Sequence, residues 1–202
     1  MDKKTVEMAF AKIADVMAEN RDYLIELDQR NGDGDLGISM SNGFKAAYET
    51  IKDATEKDLG KVFLSAAKSF NSSAPSSLGT IISIGLMGMA KNLRGAENFD
   101  LKTLVAAMEA GINNIMAKAG SKRGEKTILD ALIPAIEALK SSENENCSTA
   151  FNEAYKASLV GAEETKNMKS VHGRAAYYAE KSIGLVDGGA VAGTLIFKAL
   201  VK

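Results

Sequence analysis

Three aspartates, Asp28, Asp33 and Asp35, fall within eight residues in the stretch LDQRNGDGDLGISMSNG at 27–43. Gly32 and Gly34 sit among them, and a helical pattern follows. Carboxylates this close repel one another unless a cation neutralises them. An all-oxygen set points to a hard ion, Mg2+ or Ca2+. The EF-hand calcium loop fails here: counted from Asn31, its glycine position holds Leu36 and its closing glutamate position holds Asn42. Mg2+ takes a few carboxylates and completes its shell with water and phosphate oxygens, which suits a nucleotide. The competing reading is a solvated turn in which Asp33 or Asp35 caps the next helix. Residue chemistry alone leaves both readings open.

No GxxxxGK[ST] occurs, and no GxGxxG after a strand, so a nucleotide would be held without a P-loop or a Rossmann fold. His172 is the only histidine, so a phosphohistidine or a histidine base would have to use it. A surface or supporting role is expected for it. Cys147 is the only cysteine and lies in the polar run SSENENCST; it cannot form an internal disulfide, which fits a reducing compartment. It is expected to be an ordinary loop or helix-start thiol. Tyr177 and Tyr178 are expected to pack, and the nine methionines to fill core.

The elements that must position these groups read as helices. Val6, Phe10, Ile13 and Met17 share one face of a first helix. Phe44, Ala47, Tyr48 and Ile51 do so after the acidic bend, and Val62, Leu64, Ala67 and Phe70 mark another helix. Further helices are expected at 77–93, 101–118, 126–140, 147–164, 171–180 and 189–201. No period-2 strand and no repeat is visible. The expected fold is all-α, an up-and-down bundle or barrel of about eight antiparallel helices with short connections.

The breaks NGDGDLG at 31–37, NSSAPSSLGT at 71–80, AGSKRGEKT at 119–127 and GLVDGGA at 184–190 are polar and glycine-rich, and each ends where a helix can start. Alternate loops of such a bundle share one end. Four helix N-termini would then offer free amides and partial positive charge at that end, a setting for phosphate.

The totals agree with a folded enzyme or binding domain. The 202 residues suit one domain spanning 1–202, and 46% of them are hydrophobic. The net charge of −1 gives no bulk attraction for nucleic acid. The N-terminus MDKKTVEMAFAKIADVMAEN is charged and amphipathic, unlike a signal peptide. The longest apolar run, IISIGLMGMA, is too short to span a bilayer. A cytoplasmic protein without membrane or nucleic-acid partners is expected.

Taken together, the motifs resemble the ADP-binding (L) subunit family of dihydroxyacetone kinase. Asp28, Asp33, Asp35 and Gly37 match LD-x-x-x-GDGD-x-G; GEKTILDALIPA at 124–135 is similar to GDKTMLDAL-x-PA; GRAAYYAEKSIGLVDGGA at 173–190 is similar to GRASYLGERSIGHxDPGA. The blocks keep the family's order, and the resemblance runs nearly end to end. It implies an eight-helix antiparallel barrel whose polar end holds ADP or ATP, with two Mg2+ ions bridging the diphosphate to Asp28, Asp33 and Asp35. It also implies that Ile38 and Ser39 lie near the phosphates, with Ser73 and Ala74 of the second loop and with Gly79 and Thr80 of the next helix. Gly120 and Ile128 would line the adenine or ribose pocket. Arg174 would meet the nucleotide, and Asp187, Gly188 and Gly189 would close the site. Thr127 would cap the helix that begins beside it.

The chain departs from the family pattern in three places. The second loop is NSSAPSSLGT rather than GGASGPLFGT, DPGA is DGGA, and the residue after the third aspartate is Leu36 rather than Thr or His. These changes suit a paralogue with another sugar.

The resemblance implies a subunit that works with a sugar-holding K subunit and a phosphohistidine-bearing M subunit. The phosphoryl group would pass through bound ADP to dihydroxyacetone, and no side chain here would become phosphorylated. A subunit exchanging ATP freely, for another ketose or a fatty acid, is the second reading. A nucleotide-sensing regulator that binds a transcription factor is the third. The oligomeric state is left open, a homodimer included.

Overall fold

Val6, Phe10, Ile13 and Met17 are buried together along the first helix, as their spacing predicts. The computed structural model describes residues 1–201. Among these, nine α-helices follow one another: α1 (Lys3–Glu19), α2 (Arg21–Gln29), α3 (Leu36–Lys52), α4 (Leu59–Ser73), α5 (Ser77–Asn92), α6 (Leu101–Ala119), α7 (Leu129–Ser141), α8 (Cys147–Glu164) and α9 (Gly188–Leu200). No strand occurs among the described residues, and one isolated bridge joins Asp2 to Asn98.

Six helix starts are written in local chemistry. Asp2, Asp58, Ser76, Asp100, Asn146 and Asp187 each accept a hydrogen bond from the backbone amide three residues on, which satisfies a donor the helix cannot.

The expected eight helices are recovered as eight arms, the first of them broken. The Asn20 amide donates to the Val16 carbonyl and the Leu24 amide to the Asn20 carbonyl, so helical bonding flanks the break. Asn20 Nδ2 also donates to Val16 O at 2.7 Å, a back-bond that bends the helix there. The arm α1–α2 runs antiparallel to α3: Lys3 at its start reaches the carbonyls of Lys52 and Ala54 at the end of α3. Each following arm packs on the one before, and α9 returns to α1, which closes a ring. The ring encloses an apolar cavity of about 740 Å3, bordered by side chains such as Phe10, Phe63, Ile112, Phe151 and Phe197. The fold is therefore a barrel.

One expectation needs correction, and one apolar residue of α4 falls outside its buried face. Leu64 does not join the buried face of α4; it is 39% exposed, and Phe63 and Ala66 pack instead. Leu64 lies about 200° around the helix from Val62, on the opposite side. The segment 171–180 is not an α-helix. Arg174–Ser182 is 3-10, broken at Ala179, whose φ is +46°. Gly173 before it also has positive φ, at +64°.

Antiparallel alternation sets the starts of α3, α5, α7 and α9 at one end. A Cβ on Gly188 would lie 2.7 Å from Leu36 Cδ2, and one on Gly189 would lie 3.4 Å from Ile128 N, so the starts of α9, α3 and α7 adjoin. The α4–α5 loop reaches the same end by the alternation of the short-looped arms.

Candidate functional site

The acidic bend closes on itself through Asp28, in the last turn of α2. Its Oδ2 accepts from the amides of Gly34 at 2.8 Å and Asp35 at 3.1 Å. Gly34 turns the chain with φ +78°. Gly32 passes so near that a Cβ there would lie 2.1 Å from Asp28 Oδ1. As a result, carboxylate oxygens of Asp28, Asp33 and Asp35 all lie within 4.8 Å of one another. Asp35 occupies the N-cap position of α3 but makes no capping bond. Asp33 Oδ2 instead meets Arg174 Nη2 at 2.8 Å. Neither aspartate caps α3, so the structure does not take the solvated-turn reading in that form.

The crowding leaves an electrostatic signature. Burial, then the charges of Asp33 and Asp28, raise the Asp35 carboxyl above the usual range, and Arg174 pulls it the other way. Three converging acids with one arginine among them are under-compensated. A divalent cation fits such a donor set.

Arg174 reaches the bend from a strap, residues 165–187, that links α8 to α9. The strap rests on the α6–α7 loop. Asp130 is buried and knits that loop by accepting from the amides of Gly124 at 2.5 Å and Thr127 at 2.8 Å. Thr127 Oγ1 accepts from the Leu129 amide at 3.2 Å, but Ile128 rather than Thr127 takes the N-cap position of α7. Lys126 points inward to strap carbonyls. His172 Nε2 pairs with Glu125 Oε2 at 2.6 Å, and this bond holds the Glu125 carboxyl below its ordinary range.

The remaining predicted residues fall around this end with differing exposure. Ile38, in the first turn of α3, is exposed, whereas Ser39 is buried. Ser73 ends α4, and Ala74 is buried behind it. A Cβ on Gly79 would lie 2.0 Å from the Ala74 carbonyl oxygen, so glycine is required for that loop to lie against α5. The Gly79 amide donates to Ser76 Oγ and the Thr80 amide to the Ser76 carbonyl, so these two amides are already engaged. Gly120 ends α6 in the left-handed conformation, φ +67°, a helix-stop role in its own right. The side chain of Ile128 lies in the core, which leaves its backbone facing the start of α9. Gly188 and Gly189 are the first two residues of α9.

Asp187 caps α9 by accepting from the Ala190 amide at 2.7 Å. Burial pushes its carboxyl up to about 7; bonds from Ala190 and the charge of Lys126 pull it down, and Asp130 adds to the rise. A raised acid favours the folded state below its ordinary value near 3.8, and that contribution is lost as pH climbs toward about 7. Asp187→Asn keeps a good capping oxygen and removes the titration. Thermal melts in nucleotide-free buffer should therefore show the wild type losing stability against Asp187→Asn between pH 4 and 7. Parallel curves would refute the burial argument.

Sequence reasoning missed several contributors. Lys126 stands in the quoted GEKT block, yet nothing separates it from its exposed neighbours Lys122 and Arg123 until the chain folds. Gly32 stands in the sequence only as one of two glycines among the acids, and its closeness to Asp28 emerges only in the fold. Tyr177 and Tyr178 do not pack: Tyr177 is 90% exposed and Tyr178 is also exposed, because the 3-10 strap turns both outward.

Comparison with known proteins gives one consistent picture. The family model described as the DAK2 domain matches residues 31–202. The ADP-binding subunit DhaL of a PEP-dependent dihydroxyacetone kinase from Listeria innocua is 32% identical over 184 residues, covering 91% of this chain and 88% of that protein. The corresponding Escherichia coli subunit is 27% identical, covering 89% of this chain and 86% of its own length. An L-erythrulose 1-kinase from Mycolicibacterium smegmatis is 30% identical, and the match covers 92% of this chain but 33% of that protein. The crystal structure of the dihydroxyacetone kinase from C. freundii in complex with AMP-PNP and Mg2+ superposes with a TM-score of 0.78 at 23% identity. That match covers 98% of this chain and 33% of the C. freundii chain. At this identity the superposition carries the all-α fold.

Proposed function

This chain belongs to the DAK2 domain family, and from that premise we propose that it is the nucleotide-bearing subunit of a dihydroxyacetone kinase complex. Residues 1–202 act as one nucleotide-binding domain. Bound ADP receives a phosphoryl group from a phosphohistidine on an M-type partner and passes it to dihydroxyacetone on a K-type partner. The observation that carries this reading is the convergence of Asp28, Asp33 and Asp35 at the end where α3, α7 and α9 begin.

When bound, two Mg2+ ions would offset the charge of the phosphates and of the group in transfer. The chain's own residues do the rest. Asp28, locked by two amides, supplies a rigid metal ligand, and Asp33 and Asp35 supply two more. Ile38, Ser39, Ser73, Ala74, Gly79 and Thr80 border the phosphates. Gly120 and Ile128 border the base or ribose, and Arg174, Asp187, Gly188 and Gly189 close the site. Arg174, now on Asp33, is placed to move onto phosphate oxygens, where a guanidinium pairs in two-pronged fashion.

The exposed Val171, Tyr177, Tyr178 and Ile183 lie on the same strap as Arg174. They give a partner subunit an apolar surface beside the acids. Among the described residues no helix is long and apolar enough to cross a membrane.

The test is to denature the purified protein, chromatograph the released nucleotide and measure metal. A retained coenzyme gives about one ADP and about two Mg2+ per chain. A specific observation favours a second reading: NSSAPSSLGT replaces the family's phosphate loop, and a relative is named for erythrulose. Under that reading the subunit exchanges ATP and serves another ketose. Absence of bound nucleotide, with fast ATP exchange, would select it. Nucleotide binding without transfer to any partner would leave a regulator.

A further inference from the structure

Lys126 is 3% exposed, and its Nζ donates toward four backbone carbonyls: Thr165 at 2.8 Å, Met168 at 3.2 Å, Ser182 at 2.7 Å and Leu185 at 2.5 Å. An ammonium has three protons, so these acceptors oversubscribe it. Its backbone adopts φ +60°, which a long side chain seldom does and which persists only where surroundings impose it. Burial lowers its proton affinity, and the charge of Asp187 raises it.

The four carbonyls come from both feet of the strap. Thr165 and Met168 lie on the way out from α8, and Ser182 and Leu185 on the way back to α9. The feet are joined further by Ser170 N to Ser182 Oγ at 2.9 Å and by Gly184 N to Lys166 O at 2.7 Å. Between them the strap is 3-10 and kinked at Ala179, without an α-helix ladder of its own. Arg174 stands on this span and meets Asp33. The returning foot delivers Asp187, whose amide donates to Thr165 Oγ1 at 2.9 Å.

We propose that Lys126 is a positioning residue for phosphoryl transfer. It cinches the feet of the strap, and so sets Arg174 over the acidic bend. The link to phosphoryl transfer rests on the proposed function, while the cinch rests on geometry alone. A lysine that only supported the core would act on global stability and show no special coupling to Arg174. A cinch acts through Arg174, so the two residues must fail together.

The experiment uses the full chain, with Lys126→Met and the milder Lys126→Gln, Arg174→Ala, and each double variant. On protein first stripped of bound nucleotide and metal, calorimetric titration with Mg2+–ADP reads binding, and amide hydrogen exchange without nucleotide reads the strap. Each single variant is expected to weaken Mg2+–ADP binding by about tenfold, and the double variants to lose little beyond Arg174→Ala. Amides of 168–184 should exchange at least about tenfold faster in the Lys126 variants, with α3 to α6 unchanged. If Lys126→Met does not fold, Lys126→Gln supplies the same readings. Losses that multiply in the double variant, or unchanged strap exchange, would overturn the proposal. A wild type that binds no Mg2+–ADP would instead overturn the proposed function, and strap exchange would still decide the cinch.

Discussion

Asp33→Ala is expected to abolish Mg2+-dependent nucleotide binding and to leave the barrel standing. Asp33 is the cleanest probe of the bend, because its carboxylate is bound to a side chain rather than to the backbone. It meets only the exposed Arg174 guanidinium, and an exposed ion pair contributes at most about 1 kcal/mol. Removing it should therefore shift thermal stability little. Binding is another matter. One of three converging carboxylates is lost, and Arg174 is left without an acid in the site proposed to hold cations. Affinity for Mg2+–ADP should fall by more than about a hundredfold. Asp28→Ala would be a poorer test, because it would also strand the amides of Gly34 and Asp35 and loosen the bend. Titration calorimetry with Mg2+–ADP on protein stripped of nucleotide and metal, beside far-UV circular dichroism, reads both sides of the prediction. Retained affinity in folded Asp33→Ala would remove the metal assignment.

Gly32→Ala should damage the same site from the backbone side. The added Cβ would sit 2.1 Å from Asp28 Oδ1 and 2.8 Å from the Asp28 carbonyl oxygen. The side-chain clash can be relieved by rotating the carboxylate. The main-chain clash cannot, because the Gly32 amide donates to that carbonyl at 2.6 Å. Either Asp28 swings off the Gly34 and Asp35 amides, or the bend opens. Overpacking of this kind costs about 1–3 kcal/mol. Loss of the Asp28 orientation should also cut Mg2+–ADP affinity nearly as far as Asp33→Ala does. A melt and a titration distinguish the two variants: Asp33→Ala loses binding alone, whereas Gly32→Ala loses binding and stability. Wild-type behaviour of Gly32→Ala in both measurements would mean that the bend has slack the structure does not show.

The readable part of this protein was local. The helix starts at Asp58, Ser76, Asp100, Asn146 and Asp187 depend on a side chain meeting an amide three residues on, and that relation lies within the sequence. The burial of Val6, Phe10, Ile13 and Met17 depends on helical period alone. The acidic bend was legible for the same reason, since Asp28, Asp33 and Asp35 are joined by glycines over one short turn. The errors had the opposite character. Tyr177 and Tyr178, expected to pack, are turned outward by the strap that carries them. The strap was read as helix because its carbonyl partners could not be seen: four of them bond to Lys126, at least 39 residues away in sequence.

By itself, then, the sequence determined an all-α chain, the bounds of α5, α6, α8 and α9 to within a residue, and three acids crowded into one glycine-loosened bend. Each of these follows from interactions between residues a few positions apart. Only the tertiary structure decided that the helices close into a barrel around a cavity, that Arg174 lies on Asp33, and that Lys126 ties both feet of the strap. Those pairings join residues far apart in the chain. Their partners are chosen when the packed apolar faces bring the loops to one end, and no local pattern encodes that choice.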